Sequence, residues 1–251
     1  MQKKKQIIII GGGTSISEGR AKGLWDKIKG KFIIGLNYSF NYLPNPTFQC
    51  FVDNTFYNEV YSKIGYLPLI IGSKKKVEKE LPNTIFLPAI SKYYKDIKHG
   101  VYKNSLVGLY ALTLAIYLAN PGDEIYLLGM DYGEKRKSDF TKVLKKPAEL
   151  NKVMIRDEKN RAMTHFYQGE INHRGIGKIN YYNGKNRVEQ DYKWYKQIKD
   201  IKIYNVSLVS KIPEDIFPKI SYDEFFKKLD KDTYNQDELR TEIRRKLKWA
   251  I

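Results

Sequence analysis

Residues 6–19, QIIIIGGGTSISEG, decide the fold class. Four consecutive isoleucines lead straight into three glycines, then small hydroxyl residues, then a helix-like segment over about residues 18–29. An unbroken β-branched run is the pattern of a parallel strand covered on both faces, because neither face then tolerates polar side chains. A glycine turn between such a strand and a helix N-terminus lets the backbone approach an anion closely. Free N–H groups and the positive end of the helix dipole face that anion. The chain therefore opens with a nucleotide- or phosphate-binding βα unit, in which Gly11, Gly12, Gly13, Thr14 and Ser15 are the contact residues.

Outward from that unit, residues 31–37 (KFIIGLN), 47–53 (TFQCFVD), 67–72 (LPLIIG) and 84–87 read as strands, with a short charged helix over 74–80. Residues 104–118 form a strongly apolar helix that Asn120-Pro121-Gly122 stops, and 124–129 (EIYLLG) is a further strand with Asp131 just beyond it. From about 132 to 186 the pattern is irregular, polar and rich in Lys, Gly, His and Tyr, the mark of a functional lid or insertion. Order returns with a helix near 187–197, a strand over 202–206 and helices near 221–229 and 236–249.

This alternation predicts an α/β fold with a doubly wound, mostly parallel Rossmann-like sheet. A nucleotide-binding domain would cover 1–210, lid included, and a C-terminal helical extension 211–251. Ligands of such open sheets sit beyond the carboxyl ends of the strands. Gly11 to Ser15, Asn37, Asp53 and the pair Asp131 and Tyr132 are therefore expected to converge on one crevice.

Composition narrows the class. The 251 residues suffice to bury one α/β core, and no apolar run approaches the roughly 18 residues that a membrane helix needs. The N-terminal MQKKKQIIIIGGG has only four apolar residues before a glycine turn, so it does not read as a signal peptide. A lone cysteine, Cys50, excludes a disulfide framework and a multi-cysteine metal site and fits a reducing, cytoplasmic setting. Within TFQCFVD it reads as a buried, inert thiol.

The formal charge of +17 sets up a field that attracts anions in general. Nucleotide, nucleic acid or another anionic polymer, and a membrane surface all belong to that group. The basic amphipathic stretch 236–251, with Leu239, Ile243 and Leu247 at helical spacing, suits packing on its own domain or on a second copy, and is also compatible with peripheral membrane contact. No helix-turn-helix or RNP pattern is present.

The glycine turn is neither of the two best-known phosphate motifs. Ile16 stands where the third glycine of a dinucleotide fingerprint belongs, and the Gly-Lys-Ser/Thr of a P-loop is missing. His165 and His173, both within THFYQGEINHRGIG, are the candidate general bases, since imidazole titrates near neutrality and can take a proton from a hydroxyl. His99 sits in a polar loop. The spacing of His165 and His173 does not match H-E-x-x-H, and no cysteine lies nearby, so no zinc site is expected.

Together these residues resemble the bacterial sialyltransferases of glycosyltransferase family 42 and the related superfamily that includes 6-hydroxymethylpterin diphosphokinase-like proteins. That family opens with a strand and a turn of the form (A/G)-G-(N/G)-G-P-S, and Ile10-Gly11-Gly12-Gly13-Thr14-Ser15 stands in its place. Strands ending in a polar residue follow, matched at Asn37 and Asp53. A helix of the type S-G-x-x-x-x-x-x-A is matched around Gly108, with Ser105 the nearest hydroxyl, since Val107 occupies the Ser position. A strand ending G-x-D-(F/Y) is matched at Asp131 and Tyr132, and an (S/T)-H-(F/Y) segment at Thr164-His165-Phe166.

The resemblance implies a GT-A-like sialyltransferase variant of the sheet and a metal-independent transfer from a nucleotide-activated sugar, of which a CMP-sugar is one form, to an acceptor hydroxyl. Gly11 to Ser15, Asn37, Asp53, Ser105, Gly108, Asp131 and Tyr132 would hold the nucleotide, and His173, or else His165, would deprotonate the acceptor. No cofactor beyond the donor is implied. The pterin branch implies an alternative: Mg²⁺-dependent diphosphate transfer to a small hydroxymethyl compound, with Asp53 and Asp131 as metal ligands. A nucleic-acid-modifying or nucleic-acid-binding protein is the third reading, motivated by the charge.

Overall fold

Strand β1 (Gln6–Ile10) is hydrogen-bonded along both edges, parallel to β2 (Phe32–Leu36) on one side and to β8 (Glu124–Leu128) on the other. The computed structural model describes residues 4–43, 45–73, 77, 79–92, 97–102, 106–132 and 185–248. Between β2 and β8 in sequence come β3 (Phe48–Phe51), β4 (Ile70–Ser73), β5 (Thr84–Leu87) and a separate parallel pair, β6 (Ala89–Ile90) with β7 (Val101–Tyr102). With β9 (Lys202–Asn205), seven strands form one sheet in the order β5-β4-β3-β2-β1-β8-β9, and every neighbouring pair is parallel. The predicted doubly wound α/β class is therefore the one adopted.

Helices cover both faces. Ile8 and Ile10 of β1 point to one core, with Ile16 of α1 (Ile16–Ala21), Leu24 of α2 (Leu24–Lys27), Tyr57, Val60 and Ile64 of α3 (Asn54–Ile64), and Tyr222 and Phe225 of α6 (Tyr222–Lys228). Ile7 and Ile9 point to the other, with α4 (Val107–Leu118), Val188 and Tyr192 of α5 (Lys185–Tyr192), and Leu239, Ile243 and Leu247 of α7 (Gln236–Leu247). All four isoleucines are fully buried, and each such side chain contributes about 1.5–3 kcal/mol. The apolar stripe of α7 is thus part of the core.

Three elements differ from the sequence reading. The single helix expected over 18–29 is two short ones, because Gly23 takes a left-handed φ of 77° and ends the first. The charged helix expected over 74–80 is not formed at Val77, Lys79 or Glu80, and its other residues lie outside the described set. Helix α3 was not anticipated: NTFYNEVYSKI is rich in aromatic, β-branched and Asn residues of low helix propensity. Burial of Tyr57, Val60 and Ile64 on one stripe overrides that local preference.

The C-terminal segment closes the amino edge of the sheet. Gln6 donates to Glu124 (3.1 Å) and to the Lys228 carbonyl (2.8 Å), and accepts from the Asp230 N–H (3.0 Å). The buried Lys31 ammonium donates to the Asp230 carboxylate and carbonyl, both at 2.6 Å, and to the Asp232 carbonyl. Arg240, only 7% exposed, donates to the carbonyls of Thr47 and Pro46 (both 3.0 Å) and to Asn45 Oδ1 (2.8 Å). Residues 228–240 therefore grip the entry points of β1, β2 and β3, which leaves the carboxyl edge as the end where loops can host a ligand.

Two predictions follow from this edge. Replacing Arg240 with Leu strands two buried carbonyls, and the expected cost is about 2–4 kcal/mol in urea unfolding with an unchanged m-value; a loss below about 1 kcal/mol would show that the grip is idle. Glu124 is destabilised as an anion by burial but more than compensated by Lys4, Tyr126 and Gln6, so its carboxyl titrates below the ordinary value. A depressed folded pKa adds stability that is complete above the ordinary glutamate value of about 4.3 and fades as pH falls through the lower folded value. Glu124→Gln is expected to flatten the stability difference between about pH 5 and about pH 3; an unaltered slope would contradict the assignment.

Candidate functional site

The chain order reverses at β1: strands β2 to β5 build outward on one side, β8 and β9 on the other. Such a switch point opens a crevice at the carboxyl edge, because the connections on its two sides diverge to opposite faces. The glycine turn leaves β1 at that place. Its Gly11 N–H donates to the Leu128 carbonyl (2.7 Å) and its Gly13 N–H to the Gly129 carbonyl (2.8 Å). A methyl group on Gly11 would stand 2.6 Å from the Gly129 carbonyl oxygen, and one on Gly13 would strike the Asp131 carboxylate. Glycine is required here for close backbone approach.

Asp131 ties the turn to its neighbours. Its carboxylate is 8% exposed and accepts the Ser15 N–H (2.8 Å), the Ser15 hydroxyl (2.7 Å) and the Ser207 hydroxyl (2.7 Å), while its own carbonyl accepts the Lys211 N–H (2.7 Å). One side chain thus joins the turn after β1, the end of β8 and the end of β9. It also places a negative charge at the N-terminus of α1, where the helix dipole favours one. The anion slot expected there for a ligand is in part filled from within. What remains open is the outer rim: Gly12 and Thr14 are half-buried, and their N–H groups have no acceptor among the described residues.

Two left-handed residues flank the turn. Asn37, at the end of β2, has φ 48°, and Tyr132, past β8, has φ 49°. For a residue as bulky as tyrosine this is a backbone outlier, of the kind that gathers at functional sites. The Tyr132 hydroxyl is held 2.7 Å from that of Tyr192, and a methyl on Gly108, in the first turn of α4, would lie 2.7 Å from it. Burial, against the lowering effect of the Tyr192 bond, pushes the Tyr132 phenol well above its ordinary pKa. Burial and the charges of Asp131 and Glu18 do the same to Tyr222. Both phenols are therefore neutral hydroxyl groups near pH 7, not bases.

Of the residues singled out from sequence, Gly13 and Ser15 of the turn are in direct contact with Asp131, and Gly108 packs on Tyr132. Asn37 is one strand from the turn and Asp53 two strands, so Asp53 is about 10 Å from it at a strand spacing of about 4.8 Å. Asp53 is exposed and precedes α3, whose Tyr57 N–H donates to the Asp53 carbonyl (3.1 Å). His99 is exposed in a short 3₁₀ turn, Ile97–His99. Ser105, His165 and His173 lie outside the described residues. Among the described residues, no group of three or more His, Cys, Asp or Glu could hold a metal ion. Cys50 is fully buried in β3, where burial raises its thiol pKa.

Ser207, Ser210 and Gln49 were not foreseen. Ser210 donates to the Met130 carbonyl (2.6 Å) and so braces the same loop. The sequence signal was available: Ser207 and Ser210 are small hydroxyl residues directly past a strand, as Thr14 and Ser15 are. In comparisons with known proteins, no family model, curated protein or solved structure matches the chain.

Asp131→Ala would leave three buried donors without an acceptor. The expected loss is about 3–5 kcal/mol, and Ser207→Ala, which removes one of the three, costs about 1 kcal/mol. Urea unfolding measures both; equal losses for the two variants would show that the carboxylate does not organise the turn.

Proposed function

We propose that the chain is a nucleotide-dependent transferase, and specifically a glycosyltransferase that moves a sugar from a nucleotide-activated donor to an acceptor hydroxyl. The observation that carries this reading is the glycine turn at the switch point, with the Gly12 and Thr14 N–H groups lacking an acceptor among the described residues and Asn37 alongside. Unpaired N–H groups at such a rim suit a phosphate oxygen, in the ground state and more so as charge develops on it.

In the reaction the acceptor oxygen gives its proton to an imidazole and bonds to the anomeric carbon. The bond from that carbon to the phosphate oxygen breaks, and the nucleotide leaves with the electron pair. His173 is the proposed base, with His165 the second choice; both assignments come from the resemblance of the sequence motifs. A base with a pKa near neutrality suits this step.

A thermal-shift screen of CMP, UDP, GDP and ATP, each with and without Mg²⁺, tests the site. A ligand at a hundredfold excess over its Kd adds about 2.7 kcal/mol, or about 5–10 °C for a chain of this size. One nucleotide is expected to give that rise and the others little. No response to any of the four would sink the reading. With the donor in hand, His173→Ala is expected to retain nucleotide binding and lose at least about a hundredfold in turnover, with activity surviving EDTA. Strict Mg²⁺ dependence would instead favour diphosphate transfer.

A further inference from the structure

We infer that Gln49 is a positioning residue, which holds Asn37 in its left-handed conformation and so aims the Asn37 side chain into the nucleotide crevice; this rests on the nucleotide-site reading above. Gln49 is the one polar residue of β3 (FQCF) and is 1% exposed. Its Nε2 donates to the Asn37 carbonyl at 2.7 Å. That carbonyl accepts, so the amide must present its nitrogen there, which fixes its orientation.

The other end of the amide is left unpaired. Gln49 Oε1 is buried with no hydrogen-bond partner among the described residues, and the same is true of the neighbouring Ser39 hydroxyl. The backbone makes room for this arrangement: a side chain at Gly35 would collide with Gln49 Oε1, Ser39 Oγ and Leu43. An apolar residue at position 49 would avoid the orphaned acceptor, so core packing does not account for the amide. What the amide does accomplish is a bond to the carbonyl of a residue whose φ, 48°, is left-handed.

That backbone is well placed. The register pairs Ile10 with Gly35, so two residues further on the chains reach Gly12 and Asn37 on adjoining strand ends. The Asn37 side chain is half-exposed and without a hydrogen-bond partner among the described residues. An amide carried by that held backbone, on the strand next to two N–H groups without an acceptor among the described residues, suits the hydroxyls or base edge of a nucleotide whose phosphate meets Gly12 and Thr14.

Gln49→Leu removes the bond and the orphan together; Gln49→Met is the reserve should the branched side chain not fit over Gly35. The first arm titrates CMP, UDP, GDP and ATP by calorimetry into the wild type, Gln49→Leu, Asn37→Gly and the double variant. Glycine at position 37 keeps the left-handed backbone without the side chain. Gln49→Leu is expected to weaken the wild type's nucleotide about tenfold at an unchanged melting temperature, and to have no effect once Asn37 is Gly. Additive losses, or unchanged affinity in Gln49→Leu, would overturn the role. The second arm needs no ligand: Asn37 Cα shifts and HN–Hα couplings, with labelled asparagine, are expected to leave left-handed values in Gln49→Leu. Left-handed values retained in the variant would also overturn it. Failure of every nucleotide to bind the wild type counts against the site reading alone, and the second arm then decides Gln49.

Discussion

A strand that is hydrogen-bonded on both edges and covered on both faces has no free side through which its polar backbone can meet water. β1 is under this constraint, since β8 pairs with its whole length, β2 with Ile7 to Ile10, and two cores receive its alternate side chains. The chain can leave it only by a tight turn at the sheet's end, passing close under the neighbouring strand. Gly11 and Gly13 make that passage, with their N–H groups on the carbonyls of Leu128 and Gly129. The place where β1 must turn is also the place where strand order reverses. The glycine turn and the switch point of the sheet therefore have one origin.

Asp131 shows how that origin is stabilised. A turn made of glycines is entropically loose, and here a buried carboxylate gathers the N–H and hydroxyl of Ser15 and the hydroxyl of Ser207 on one point. The same charge lies at the N-terminus of α1, where the helix dipole favours it, so the inner part of the turn is filled by the protein's own carboxylate. The left-handed Asn37 and Tyr132 stand on either side of that turn, each held by a bond from a more deeply placed residue, Gln49 and Tyr192. Strain of this sort persists only where the surroundings over-determine it.

At the opposite edge the logic is reversed. Residues 228–240 occupy the entry points of three strands with charge-assisted bonds from Lys31 and Arg240, and the apolar stripe of α7 lies in the core. Among the described residues, the amino edge is thus closed by the chain's own C-terminal segment.

The sequence by itself determined the class of fold, because an unbroken β-branched run, repeated before polar strand ends, admits little other than a two-face-covered parallel sheet. It also determined that Gly11 to Ser15 and Asp131 belong to one place, since both lie immediately past strands that turned out adjacent. Only the tertiary structure decided what those residues do there. Nothing local to LLGMDYG says that the Asp131 side chain turns inward to Ser15 and Ser207, since Ser207 lies 76 residues further along the chain. Nor does TFQCFVD say that Gln49 reaches back to Asn37, or NTFYNEVYSKI that it is a helix, for both depend on which buried surface is offered by a neighbouring element. Strand identity is written in local periodicity, whereas the partner of a buried polar group is set by strand order, and strand order is fixed only when the cores on both faces close.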